Sequence, residues 1–576
     1  MIGVIFEAAE AAAVEEFFQL FKTPWEPFVA ERPYQVLITT ASSVPECDAL
    51  LKLVFQSRGS SIDAEWGLAQ GSRKESAFLE IGNQRLPIYG EVLTFKENFG
   101  VKSCVFADGS VAGVTREFTD GRKAVRLGYD LFKEVQHILM HGQPLKHGAV
   151  PTLDLHIDLV RQWILQAGIS LVEIPPFPAG SSFIVCLTHD IDFIGIRFHY
   201  LDHTMWGFLV RATVGALVRF VRGRMELRQL ARCWGAVVAL PLVYLGWLKD
   251  FWSPFEWYLE VEKGLGATYY IIPFKRRAGD KVPARHPERR ATAYDVSDLS
   301  DWTSRLLEAG CDIGVHGIDA WHSSEKGKEE RLRVSSVTGE PSVGIRMHWL
   351  LTDNDSVRAI EEAGYDYDAT VGYNEAPGYR AGTGQVYRPH GARRLLELPL
   401  HIQDGSLFYP QRLDLSEGKA WEMCKKFIDH AKAHGGVLTI LWHDRSHCPE
   451  RFWGSFYARL VAGLKALDAW FGTAREVVEW FRARRSVTFE RWPVSAGGAR
   501  VFARCQGVTP RRPFVLRIHF PPGETSPAQS ISSQTDVLWS GESDVDLSAL
   551  IQSQRTESRS STASPQLLSD ILAREP

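Results

Sequence analysis

Cysteine is thinly spread in this chain: eight in 576 residues, at Cys47, Cys104, Cys186, Cys233, Cys311, Cys424, Cys448 and Cys505, with no CxxC pair. That scatter argues against a zinc knuckle and offers no disulfide framework, so the thiols read as reduced core or surface groups. Excess positive charge is missing too. A net charge of -4 gives no general reason to expect nucleic-acid binding, and an electrostatic partner has to come from a local patch. The amino terminus, MIGVIFEAAEAAAVEEFF, carries acids where a secretory signal needs a basic region followed by an unbroken apolar stretch, which predicts a cytoplasmic chain. A membrane span is not expected either: the run Cys233 to Leu248 is apolar but covers 16 residues and is interrupted by Pro241, short of the roughly 20 a span requires.

What is present is ordinary globular composition, 45% hydrophobic and 23% charged, on a chain long enough for more than one domain. Residues 1–178 read as an accessory α/β unit with a strand candidate at Gln35–Thr40 and no catalytic spacing. Pro175-Pro176-Phe177-Pro178-Ala179-Gly180 is a stiff hinge suited to a boundary, because successive prolines disfavour both helix and ladder pairing. The main domain is expected over 179–488. A small β appendage follows over 489–523, from VFARCQG and FVLRIHF. The Ser/Gln/Thr-rich tail 524–576 is expected to be mostly disordered, apart from a short helix near Leu567 to Leu572. Within the main domain, 198–250 is an apolar helical insertion with Arg211, Arg219, Arg222, Arg224, Arg228 and Arg232 against few acids. Two readings stay open for it: a basic amphipathic segment lying on a membrane, or helices wrapping a neighbouring core.

The main domain is organised around SSFIVCLTHDID, Ser181 to Asp192. Its continuous apolar run has the look of a strand buried on both faces, and it ends on a histidine and two carboxylates. Helix, glycine and strand then alternate: a helix from Ser253-Pro254 to about Gly264 before strand Ala267–Ile272, Asp298–Ala309 before Cys311–Val315, and Trp421–His434 before Val437–Trp442. This order implies parallel strands with helical crossovers. Successive strand candidates end in Asp190 and Asp192, in His316, in Arg346 and His348, and in His443 and Asp444. Each could be a structural residue or a cap. Together, on one face of a barrel, a carboxylate plus imidazoles suits Zn²⁺ or another divalent ion.

Residues from about 181 to 485 resemble the polysaccharide deacetylase (NodB-homology) family, whose fold is a distorted parallel β/α barrel. Thr188-His189-Asp190-Ile191-Asp192 is similar to the family's first motif in its Asp-x-Asp form. The resemblance implies Asp190 as general base and Asp192 as metal ligand. The second motif places two metal-binding histidines four apart; His316 fits the first, but Ala320 stands at the second position and the nearest histidine is His322. His322 reaching in from a longer loop, Asp319 substituting, and a missing third ligand all stay open, and the expected metal set is Asp192, His316 and His322. Arg346 fits the arginine that orients the base, although His348-Trp349 replace the usual proline and glycine. Leu441-Trp442-His443 matches the last motif, with His443 as general acid. Asp404 lies in a segment that resembles the pocket lining and would position a partner, while Asp444 would favour the cationic form of His443. The Gly-rich loop Thr370 to Thr383 closes over sugar in this reading, or is an ordinary turn. The activity implied is a metal-dependent hydrolase removing N-acetyl groups from a polysaccharide or a lipid-linked sugar precursor. The alternatives are a non-catalytic glycan-binding barrel and a metal hydrolase of another amide or ester.

Overall fold

The computed structural model describes residues 1–81, 84–96, 101–493, 499–507, 509–522 and 533–562; the helix expected near Leu567 to Leu572 lies outside them. The chain forms two compact units. The first is Met1–Gln143, Val150–Ala179 and Glu479–Pro576, and the second is Pro144–Ala149 with Gly180–Val478.

In the first unit a nine-stranded mixed sheet is parallel through Ile2–Ile5, Val36–Thr39, Leu51–Phe55 and Lys123–Leu127 and antiparallel beyond. The carboxy-terminal strands belong to this unit rather than to a separate appendage. Leu171–Glu173 pairs antiparallel with Phe514–Phe520. The buried Arg484 guanidinium donates to the carbonyls of Gln19, Leu20 and Ile174, so the expected boundaries at 178 and 488 are bridged by backbone and side-chain bonds. The expectation of a mostly disordered tail also needs correcting. Ser533–Trp539 is a strand on Phe514–Phe520, and Leu547–Thr562 is helical. Ser533–Trp539 alternates half-buried and exposed residues up to the buried Trp539, a period-2 pattern that polar composition conceals.

The second unit carries the strand-end residues. Its strands are β1 Phe183–Ile191, β2 Ala267–Ile271, β3 Asp312–Gly317, β4 Ile345–Met347, β5 Tyr367–Asp368, β6 Leu396–Glu397, β7 Ile402–Gln403, β8 Val437–Leu441 and β9 Ala469–Phe471. They pair in the order β6-β5-β4-β3-β2-β1-β8-β7, with β9 also on β1, and every one of these pairings is parallel. Among the described residues the edge strands β6 and β7 are not paired to each other, so the sheet is an open, incomplete barrel. All nine residues of β1 are buried, as the apolar run predicts for a central strand covered on both faces. The crossover helices follow the sequence pattern closely: Phe255–Val261, Ser300–Glu308 and Glu417–His434 each precede the expected strand. A reciprocal capping box, Thr473 N to Glu476 Oε2 and Glu476 N to Thr473 Oγ1, starts the last helix. With all strands parallel, the carboxyl ends of β1, β3, β4 and β8 fall on the same edge of the sheet, where such folds gather their ligands.

Candidate metal centre

The pleat of β1 sorts its last residues by face. His189 turns into the helical layer, where Nδ1 donates to Trp442 O at 2.9 Å and Nε2 sits 2.8 Å from Glu262 Oε1, under the ring of Tyr258. Its place is structural: it ties β1 to the end of β8. Thr188 and Asp190 turn the other way, to Arg346. Asp192 stands just past the strand, with its backbone N–H bonded to Asp444 Oδ1 at 3.2 Å.

Around Asp192 the ligand atoms of His316 and His348 converge, all three lying within 4.8 Å of one another. Asp192 Oδ1 is 3.4 Å from His316 Nε2 and 3.3 Å from His348 Nε2. Donors at ~2.0–2.1 Å from a tetrahedral Zn²⁺ stand about 3.3 Å apart, so these separations fit such an ion. Two further observations support the fit. Asp192 Oδ1 is buried yet makes no hydrogen bond, which is costly for a carboxylate oxygen without a cation. His316 commits Nδ1 to Arg346 O at 3.0 Å, the outer bond that fixes a metal-binding imidazole and leaves Nε2 to present its lone pair. Burial pushes His348 down to about 4, which keeps it neutral as a ligand must be.

Two ion pairs flank this cluster. On one side Arg346 donates from Nη1 to Asp190 Oδ1 at 3.1 Å and to Thr188 Oγ1 at 2.8 Å, and from Nε to Ala369 O at 2.9 Å. The other oxygen of Asp190 is 3.9 Å from His316 Nε2. On the other side Asp404 Oδ1 is 2.5 Å from His443 Nδ1, and Oδ2 accepts the His443 backbone N–H at 2.9 Å. Ser446 Oγ also donates to Asp404. Burial opposes the imidazolium of His443, but Asp404, reinforced by Asp192 and Asp190, outweighs it and lifts the group to about 10.

The structure does not bring His322 to this cluster. His322 Nε2 bonds Asp319 Oδ1 at 3.0 Å, and Asp319 itself is held by Glu330 and by the N–H of Asp280. Neither belongs to the cluster, in which the third candidate donor is His348. Asp444 also stands apart from its expected task. Asp404 takes the position on His443, while Asp444 holds the backbone of Asp192 and is raised to about 7 by burial and by Asp192. Two residues escaped assignment in the sequence. His348 is aimed by a backbone in which Trp349 and Leu350 take φ of 66° and 54°, left-handed geometry that non-glycine residues rarely adopt. Arg290 is buried and donates to Ala278 O, Ile318 O, Gly317 O and His348 O at 2.8 to 3.1 Å, clamping the end of β3 to His348.

A groove of about 630 Å³ opens from Asp192 and His348, lined by Phe193, Trp349, Tyr409, Arg276 and Arg289 among others.

No family model matches the chain, and no curated protein matches it. Solved structures resemble part of it. The "probable polysaccharide deacetylase" of Pseudomonas aeruginosa PAO1 is 14% identical over 54% of this chain and 94% of that one, with a TM-score of 0.32. Puue allantoinase is 14% identical over 54% of this chain and 93% of its own, with a TM-score of 0.32. The Xyl-CE4 domain of a multidomain xylanase from the hindgut metagenome of Trinervitermes trinervoides is 13% identical over 55% of this chain and 99% of that domain, with a TM-score of 0.24. Likeness at this level carries no functional argument, and the chemistry is taken from the residues themselves.

Proposed function

We propose that the second unit is a metal-dependent amide hydrolase that removes N-acetyl groups from a glycan. The observation that carries this reading is the donor set Asp192, His316 and His348, flanked by a base candidate paired with arginine and an acid candidate paired with aspartate. Those residues would hold a divalent ion such as Zn²⁺, which would supply Lewis acidity to an acyl oxygen and to water. Asp190, paired with Arg346, accepts the proton that water releases as its oxygen bonds the acyl carbon. His443, kept protonated by Asp404, donates from Nε2 to the amine nitrogen as the C–N bond breaks, since an unprotonated amine is a poor leaving group. Acetate and a free amino sugar result. The aromatic rings of Trp349 and Tyr409 along the groove offer faces on which sugar rings pack, and the family-like motifs carrying Asp190, Arg346 and His443 favour a glycan over other amides.

The test is elemental mass spectrometry on purified protein, together with acetate release from N-acetylated chito-oligosaccharides. About one divalent ion per chain, with acetate released only by the metal-loaded form, is the expected result. A loaded chain that binds the oligosaccharide but releases no acetate would point to the glycan-binding alternative, and one that cleaves only small aryl esters would point to a different acyl substrate.

A further inference from the structure

We propose that the helical hairpin from His203 to Leu248 docks on the surface of an anionic lipid bilayer, beside the groove leading to Asp192 and His348. The hairpin comprises helical turns over His203–Val210, Arg211–Gly215 and Ala216–Val221, then the helix Leu227–Tyr244. Each arm has two apolar sides. Met205, Phe208, Ala212 and Ala216 on the first arm, and Leu230, Cys233, Leu240 and Val243 on the second, bury themselves in one cluster with Trp252 and Cys448. At 3.6 residues per turn, Trp206, Val210, Val214 and Val221 fall on the far side of the first arm. Leu227, Trp234, Val238 and Leu245 fall on the far side of the second. These side chains face solvent, Val221 at 76% and Val238 at 78% exposure. Trp247, just past the second arm, is 75% exposed. A soluble surface rarely keeps so continuous an apolar face uncovered.

Charge selects the occupant. From His203 to Leu248 the only acid is Glu226, against Arg211, Arg219, Arg222, Arg224, Arg228 and Arg232. Arg222, Arg228 and Arg232 are exposed around the tip and second arm. An apolar face with tryptophans and a basic border is the composition of a helix lying in the headgroup layer, attracted by anionic lipids. His203–Val221 is long and apolar enough to cross a membrane, with 28% of it buried. Crossing would tear its packed side from the unit's own core, where Arg219 also bonds Glu450 O and Cys233 bonds Pro449 O. Lying on the surface keeps that core intact.

Position gives the docking a purpose. Phe198, Tyr200, His203 and Thr204, at the root of the hairpin, line the same groove as Asp192 and His348, across from the exposed Arg276 and Arg289. A bilayer under the hairpin therefore lies beside the groove, and the acetylated sugar would be presented on a phosphate-bearing lipid carrier, a consequence that rests on the hydrolysis proposed above.

Flotation of the full chain with vesicles tests the docking. Phosphatidylcholine vesicles containing roughly one third phosphatidylglycerol should carry the protein upward at low salt. Pure phosphatidylcholine, or salt raised to about 0.5 M, should release it. The double variant Val210→Glu/Val238→Glu, with circular dichroism and metal content unchanged, should lose flotation by about tenfold or more. Asp192→Ala should float like the native chain, which separates docking from hydrolysis. No flotation with anionic vesicles at low salt overturns the proposal, and so does undiminished flotation of the double variant. A salt-insensitive dimer that the double variant converts to monomer would also overturn it, by assigning the face to a second copy.

Discussion

Asp404 Oδ1 lies 2.5 Å from His443 Nδ1, and this fully buried carboxylate fixes both the orientation and the charge of the imidazole. Its second oxygen takes the backbone N–H of the same histidine, so ring and backbone are held by one group. Asp444, next in the chain to His443, contributes to the site by a different route, through the backbone of Asp192.

Replacing Asp404 with asparagine keeps the shape and removes the charge. Native His443 stays protonated until about pH 10, so activity should persist on the alkaline side until that region. Without Asp404, the remaining burial disfavours the cation and the alkaline limb should move down by several pH units, with turnover at neutral pH falling about 10²- to 10⁴-fold. Stability follows the same sign. The histidine's folded-state pKa lies above its ordinary 6.5, so its contribution is fully present below that value and disappears as pH rises through about 10. A pH–rate profile that keeps its alkaline limb in Asp404→Asn would refute this assignment.

The structure groups His348, rather than His322, with Asp192 and His316, and metal content tests which of the two holds an ion. His348→Ala should leave the purified chain with little metal. His322→Ala should retain a full equivalent, because it removes only a bond to Asp319. Adding chelator should lower the melting temperature of the native chain and hardly move that of His348→Ala, since an ion that binds only the folded state stabilises it by mass action. Equal metal loss in both variants would contradict the geometry.

The strand ends were legible in the sequence because buried parallel strands write themselves as continuous apolar runs, and Asp190, Asp192, His316 and His443 lie at or just past the ends of such runs, while Arg346 sits in a three-residue strand. His348 was visible as a strand-end histidine but not as a donor. Its aim depends on left-handed φ at Trp349 and Leu350, residues whose types give no hint of that backbone. His322 looked eligible on spacing alone, and only the local bond to Asp319 removes it. The carboxy-terminal strands were read as an appendage because pairing such as Leu171–Glu173 with Phe514–Phe520 joins segments too far apart for any local pattern to record. The exposed side of the hairpin was equally hidden, since hydropathy marks both of its apolar sides and packing decides which of them is covered.

Arg346 carries a load that lysine cannot share. One guanidinium reaches Asp190, Thr188 Oγ1 and Ala369 O, stacked on Tyr270 with 4.5 Å from its carbon to the ring centre. Arg346→Met leaves the Asp190 carboxylate buried without its partner, at a cost of about 3–5 kcal/mol in denaturant unfolding. Arg346→Lys should recover part of that stability but little turnover, because a point charge cannot hold the same three acceptors. Full activity in Arg346→Lys would show that Asp190 needs only a nearby charge, not the fork.

Arg290 acts on the candidate donor His348 through its backbone. Its guanidinium is spent on four carbonyls, one of them His348 O, and burial brings the group down to about 10. Arg290→Ala should therefore loosen the turn that aims His348 and strand four acceptors, lowering metal affinity about 10- to 100-fold by competition with a chromophoric chelator. Unfolding in urea should show a loss of about 2 kcal/mol or more from the unmet carbonyls. Arg290→Lys fills some of the space and can satisfy fewer acceptors, so it should fall between the two in both measurements. If Arg290→Ala loses stability while its metal affinity stays native, the clamp serves the fold alone and His348 is aimed by the Trp349–Leu350 backbone without help.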